Sequence, residues 1–342
     1  MKKGKQITAN DVAKLAGVSS STVSRVISDN PKISKATKTK VLKCMDELGY
    51  YPNANARSLA IKKTGTVGII IPTTSEDYFS NPFFSESIRG IIKGASNSGY
   101  DLLISTNTEK GEELKIIEKF IKGSKVDGVI LMTSRVDDKC IEYLKSIDFP
   151  FSLIGSTYNR DERINQVDND NFLAAYELTK HIIGIGRKQV AMIVGDTDLI
   201  VSKKRIEGYK KALTESNMDF DEKLLFSGSF DEKTGYEYAR QISEIKPLPD
   251  GLIVADDLVA FGAIKAFQNL GINIPRDIAV ASFNNSVLAK HSNIPLTSVD
   301  INAAELGRQA MNLLVEAIED EVRGKKISIP YIIYERESTN GK

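Results

Sequence analysis

The sequence predicts an α/β chain in two parts: a small amino-terminal helix-turn-helix module, then a larger two-lobed body built on parallel sheets. Three observations carry this. Charge is split: residues 1–63 hold 13 Lys/Arg against 4 Asp/Glu, a net of +9, and the remainder holds 33 against 41, a net of −8. Residues 8–48 repeat apolar side chains at helical spacing, punctuated by Gly17 and Gly49. From residue 66 onward, short and nearly continuous apolar runs alternate with amphipathic stretches of about a dozen residues, the pattern of strands covered by helices on both faces.

In chain order, Thr8-Ala9-Asn10-Asp11 has the chemistry of a helix start, with a capping hydroxyl and an acid near the positive end of the dipole. Val12, Ala13 and Ala16 then share a face, and Gly17 is suited to end the helix. Ser19 is placed to cap a second helix, whose Val23, Val26 and Ile27 point inward. Ser34 is placed to cap a third, with Val41, Met45 and Leu48 inward and Gly49 at its end. Two short helices joined by a tight glycine turn and braced by a third make a helix-turn-helix. The second helix turns Ser20, Ser21, Ser24 and Arg25 outward. Small hydroxyls let a helix sit close to base edges in a major groove, and an arginine reaches guanine or phosphate. The same serines also suit simple capping and solvation. A basic module on an acidic body points to a polyanion as partner.

The segment Pro52–Ala60 follows, with Asn53 as a possible cap and Ala54, Ala56 and Ala60 favouring helix. It is too short to be helical alone. Beyond it, TVGIIIP, YDLLIST, DGVILM, FSLIG, QVAMIVG, GLIVA and IAVASF read as strands. Helices are expected at 84–98, 112–122, 170–184, 203–216, 232–244 and 258–269. The first set of strands ends near residue 160 and the second begins near 188, which suggests two doubly wound lobes with a cleft at the strand carboxyl ends.

Several classes are set aside. The sequence has no 18-residue apolar run, so no membrane partner is expected. The start MKKGKQITANDVAK lacks an apolar core, which favours a cytoplasmic chain. Cys44 and Cys140 fall in different parts, and His181 and His291 have no ligand-spaced neighbours, so neither a disulfide nor a metal site is expected. With no P-loop or nucleophile triad, no cofactor and no catalytic residues are expected, and the chain reads as a non-enzyme. Asp170 and Asp256 are the carboxylates that an acid–base alternative would use.

The run ITANDVAKLAGVSSSTVSRVISDNPKISKATKTKVLKCMDELGYYPNANARSLA resembles the DNA-binding domain of the LacI/GalR family of bacterial repressors. The resemblance implies that Ser20, Ser21 and Arg25 read bases, with Ser24 on the same face. It places Ser19, Thr22 and Asn30 near the phosphate backbone, where contacts fix register. It also implies a hinge helix carrying Asn53 and Ala56, which orders when two subunits meet on the operator. Leu59 would be wedged into the minor groove there, unstacking a base step.

The body is similar to the periplasmic-binding-protein-like effector domain of the same family, through NPFFSESIRGI, VDNDN, KKRIEGY, VADDLVAFG and LTSVDINAAELGRQA. By that resemblance Phe83, Phe84, Ser134, Asp170, Arg205, Phe230, Asp256 and Asn284 line an effector pocket. Asp168 would neighbour it, and Asp257 would cap the helix that follows. Asn284-Asn285 departs from the family's usual Asp-Asp and replaces a charged acceptor by amides. The implied domains are a helix-turn-helix at 1–52, a hinge at 53–63 and an effector body at 64–342. Its lobes would be 64–160 plus 293–325, and 161–292 plus 326–338. Within the family, YFSNPFF, VDNDNFLAAYELTKHII, KKRIEGYKKAL and SFNNS are most similar to the maltose-operon repressors of low-GC Gram-positive bacteria. The implied partners are pseudo-palindromic double-stranded operator DNA, a second copy of the chain in a homodimer, and maltose or a maltodextrin as effector. The alternative is a catabolite-type regulator that uses a protein corepressor or another small molecule.

Overall fold

The computed structural model describes residues 7–28, 30–51, 63–72, 81–104, 111–157 and 163–340. The expected hinge helix, with Asn53, Ala56 and Leu59, lies outside the described residues.

Helix α1, Ala9–Ala16, opens with the Asp11 carboxylate accepting from the Thr8 N–H (2.9 Å) and from the Thr8 hydroxyl (2.7 Å). Gly17, at φ 63°, ends it. Helix α2, Ser20–Ile27, is capped by Ser19, whose hydroxyl accepts from the Thr22 N–H at 3.2 Å. Helix α3, Lys35–Leu48, is capped by Ser34 in the same way and closed by Gly49. Eight-residue helices do not persist alone in water. Each of these packs on the other two around Val12, Ala16, Val23 and Val41, all fully buried. Cys44 joins this core, and Met45, expected there, is only half-buried beside it.

The body holds two six-stranded sheets. The first is fully parallel, in the order β11-β5-β4-β3-β1-β2. Its strands are β1 Thr66–Ile70, β2 Asp101–Ile104, β3 Gly128–Leu131, β4 Phe151–Ile154, β5 Asn165–Asp168 and β11 Lys326–Ser328. The second contains β6 Val190–Val194, β7 Leu225–Ser227, β8 Gly251–Val254, β9 Ala279–Phe283, β10 Thr297–Asp300 and β12 Ile332–Tyr334. Its order is β12-β10-β9-β8-β6-β7, parallel except for β12, which runs antiparallel to β10.

Helices cover both faces, as the apolar runs require. On the first sheet, α4 Pro82–Ser98 and α12 Ala303–Glu319 pack against one face, and α5 Glu113–Lys122 and α6 Lys139–Ser146 against the other. On the second, α7 Asn171–Gly184 and α8 Ile200–Glu215 cover one face. Helices α9 Glu232–Glu244 and α10 Asp257–Asn269 cover the other, and the short α11, Val287–His291, packs on α10. Glycines let paired helices touch backbone to backbone. A Cβ added at Gly90 would stand 1.8 Å from the Ala304 carbonyl oxygen, and one at Gly307 would stand 1.9 Å from that of Ser87.

The crossings between lobes differ from the boundaries read from sequence. Strand β5 belongs to the first sheet, whereas the sequence places 161–292 in the second lobe. Strand β10 belongs to the second sheet, whereas the sequence places 293–325 in the first lobe. Strand β11 returns to the first sheet before β12 enters the second. Both β5 (NQVD) and β10 (TSVD) are short and polar, and they lack the apolar run that marks the other central strands. The three crossings are tied by one side chain: Asn169 Nδ2 donates to the carbonyls of Ile301 (3.1 Å) and Ile329 (2.8 Å).

Among the described residues, no helix is long and apolar enough to cross a membrane. Cys44 and Cys140 are both free thiols.

Candidate functional site

Two surfaces carry polar groups in an order that packing does not require. The first is α2. With Val23 and Val26 buried, Ser20, Ser21, Ser24 and Arg25 stand exposed on one side. Ser19 precedes them, its hydroxyl 2.8 Å from that of Ser21 and 2.9 Å from that of Thr22. Asn30 lies half-buried past the helix end, where its N–H donates to the Arg25 carbonyl (2.9 Å) and its side-chain oxygen accepts from the Lys32 N–H (2.9 Å).

The second is a cavity of about 400 Å³ between the lobes, at the carboxyl ends of the strands. The first lobe contributes Phe83, Phe84, Ser134, Ser156 and Asp168, and the second contributes Arg205, Phe230, Asp256 and Asn284. Phe83 and Phe84 sit at the start of α4 with ring centroids 5.3 Å apart, edge to face. The Phe230 ring fills the space left by Gly195, where a Cβ would meet it at 2.1 Å. Ser134 is buried and its hydroxyl donates to the Ser156 carbonyl.

Arg205, 4% exposed, is the cationic anchor of the cavity. Its Nε donates to Asn171 Oδ1 (3.0 Å), one Nη donates to the Ala255 carbonyl (2.6 Å), and the guanidinium lies 3.9 Å from the Phe283 ring centre. Two of five N–H donors are thereby committed and the plane is fixed. Burial pulls Arg205 down to about 10, against the pull of Asp256, Asp168 and Asp257. Asp168, the last residue of β5, accepts from the Asn169 N–H (2.8 Å) and from Asn171 Nδ2 (2.9 Å). Burial nevertheless pushes it up to about 6. Asp256 accepts from the Leu258 N–H (2.7 Å) on one oxygen and from Asn81 Nδ2 (3.0 Å) and Asn284 Nδ2 (2.7 Å) on the other. Burial first, then the neighbouring Asp257, push it up to about 7.

Two expected roles are corrected. Asp170 does not line the cavity: it is exposed and caps α7 by accepting from the Leu173 N–H at 2.9 Å. Asp168 occupies the place expected for it, because the strand ends at 168 and the chain turns before 170. Asp256, rather than Asp257, caps α10. Asp257 is buried and instead accepts from the Ser282 and Ser298 hydroxyls and the Ser286 N–H, fastening β9 to β10. Asn81, Ser156 and Asn171 also stand on the cavity wall, without having been expected there. Asn81 carried a sequence signal as an Asn directly before a proline that starts a helix, and Asn171 as the last residue of VDNDN.

The lobes also meet through backbone. The Val136 N–H donates to the Asp198 carbonyl, and the Ile200 N–H to that of Ser134, both at 3.1 Å.

A helix-turn-helix is thus joined to a two-lobed body with a polar and aromatic cleft. Residues 8–53 match the model of bacterial regulatory proteins of the lacI family, and residues 179–339 match that of the periplasmic binding protein-like domain. The HTH-type transcriptional regulator MalR of Streptococcus pneumoniae is 35% identical over 329 residues, 96% of this chain and 97% of its own. Catabolite control protein A of Priestia megaterium is 34% identical over 97% of this chain and 99% of its own. Among solved structures, the complex of the transcriptional regulator CelR with cellobiose superposes with a TM-score of 0.76 at 30% identity. That superposition covers 97% of this chain and 99% of that one. The chain belongs to the lacI family of bacterial regulatory proteins.

Proposed function

We propose that this regulator is a homodimeric repressor that releases a pseudo-palindromic operator when an uncharged sugar, maltose or a maltodextrin, fills the cleft. The observation that carries the reading is the composition of the cavity. Aromatic faces at Phe83, Phe84 and Phe230 suit the C–H surface of a sugar ring. Asp256 and Arg205, both buried, and Asp168, half-buried, supply acceptors and donors for hydroxyls. Among the described residues, the wall sets four acids, Asp168, Asp196, Asp231 and Asp256, against two arginines, Arg135 and Arg205. An anionic ligand would have to shed water beside these carboxylates, at a cost that a neutral polyol avoids.

On this reading Ser20, Ser21, Ser24 and Arg25 read bases, Ser19, Thr22 and Asn30 hold the phosphates, and Leu59 wedges the central step. Sugar shifts the lobes and with them the first-lobe dimer contacts, so paired hinge segments lose their register. It does so only as far as it prefers the state that DNA does not. The near-equal similarity to catabolite control protein A supports a second reading, in which a protein corepressor or another small molecule sets operator affinity.

The test is operator affinity by fluorescence anisotropy on a palindromic duplex with a central CG step, with and without maltose and maltotriose. A fall of about tenfold or more, equal to about 1.4 kcal/mol, is the expected result. In Arg205→Ala the sugar concentration for half release should rise at least as much. Affinity unchanged at saturating sugar would overturn sugar induction and favour the corepressor.

A further inference from the structure

We propose that Asn81 is the positioning residue by which the first lobe grips the second, through Asp256, and so sets how far the cleft closes. The relation of that closure to sugar rests on the function proposed above, but the grip itself does not.

Asn81 is 4% exposed, on the first-lobe wall of the cavity. It is the N-cap of α4, and its side-chain oxygen accepts from the Phe83 N–H at 2.9 Å. A carboxamide has one acceptor oxygen and one amino group with two donors. Because the oxygen is committed to the helix, the amino group must point away from it, across the cleft. There Nδ2 lies 3.0 Å from Asp256 Oδ2 and 3.5 Å from the Phe230 carbonyl. Asp256 is itself the N-cap of α10 in the second lobe. Two helix amino ends, one per lobe, are thus joined through a single carboxamide–carboxylate bond. The bond is buried, the kind whose loss leaves a costly orphan.

Asn81 also governs the wall beside it. Phe83 follows two residues later and Phe230 supplies the carbonyl that Nδ2 approaches, so parting Asn81 from Asp256 parts the two aromatic walls. Asp256 Oδ2 already receives Asn284 Nδ2 at 2.7 Å. A ligand hydroxyl seeking that oxygen must therefore share it with Asn81 or displace it, which makes Asn81 a determinant of which hydroxyl pattern is accepted.

The test is amide hydrogen exchange on the full chain, without sugar, read at Val136 and Ile200, whose N–H groups bond across the lobes. Asn81→Ser keeps a good helix cap but removes the interlobe donor. Asn81→Asp keeps the cap and sets a carboxylate against Asp256. Exchange at Val136 and Ile200 should rise on the order of tenfold in Asn81→Ser, and further in Asn81→Asp, while Met192 and Ile193 in β6 keep their protection. Wild-type rates at Val136 and Ile200 in both variants would overturn the proposal. So would an equal rise at β6, which would make Asn81 merely a support of the fold. Because no sugar is present, a failure of sugar binding leaves this outcome readable.

Discussion

Asp256 and Asp168 are carboxylates held where water does not reach freely, and their proton affinity follows. Their values of about 7 and about 6 lie above the ordinary carboxylate range. Between about pH 4 and 7 the folded chain keeps protons that the unfolded chain has released. The stability these groups contribute is therefore full below about pH 4 and is lost as pH rises through 6 and 7. Urea unfolding across pH 5 to 8 should show stability declining with pH, and Asp256→Asn should flatten that decline. Equal slopes in the two proteins would mean that Asp256 does not carry the proton. At this scale the sequence was legible in residue type but not in direction. VDNDN announces acids near a ligand, yet only the end of β5 decides that Asp168 faces the cleft and Asp170 faces solvent. VADDL announces a capping acid, yet the strand's length decides which of the two aspartates caps.

Helices α4 and α12 meet where Gly90 and Gly307 remove both side chains from the crossing. Gly90→Ala would drive a methyl group into the Ala304 carbonyl, so the helices must part. The expected loss is about 1–3 kcal/mol, seen as a lower urea midpoint. Gly184→Ala is the matching control, because nothing lies within 4 Å of its added Cβ. That variant should stay within about 0.5 kcal/mol of wild type or gain slightly from helix propensity. An unchanged Gly90→Ala would show that the crossing has slack. Elements with strong period or continuous apolar character, such as β6 or α9, were legible in the sequence. NQVD and TSVD were not, because strands at a crossover keep polar ends. Asn165, for example, spends its carboxamide on the Leu313 and Val322 carbonyls rather than on packing.

At the scale of the whole molecule, charge separates the two tasks. On the proposed function, the +9 of residues 1–63 should make the hold on DNA salt-sensitive, and the −8 of the rest should keep the body off it. On the proposed assignment Arg25 reads a base. Arg25→Ala should then cost about 1–3 kcal/mol at the operator and change non-specific binding little. Anisotropy on operator and scrambled duplexes at two salt concentrations separates the cases, and equal losses on both would reassign Arg25 to the phosphate backbone.

The last strands lie at the outer edges of different sheets. Strand β11 completes one and β12 the other, and Ser338 beyond them still bonds the Val280 carbonyl and the Thr297 N–H. Helices α1 to α3 close on themselves with no help from these residues. Translation runs from the amino end, so a nascent chain finishes its three-helix head long before either lobe can be completed. A premature stop near residue 320 would leave that head intact on a body whose two sheets both lack an edge. Such a polypeptide would keep every residue named on the cleft wall but would hold them on two sheets that each lack their last strand.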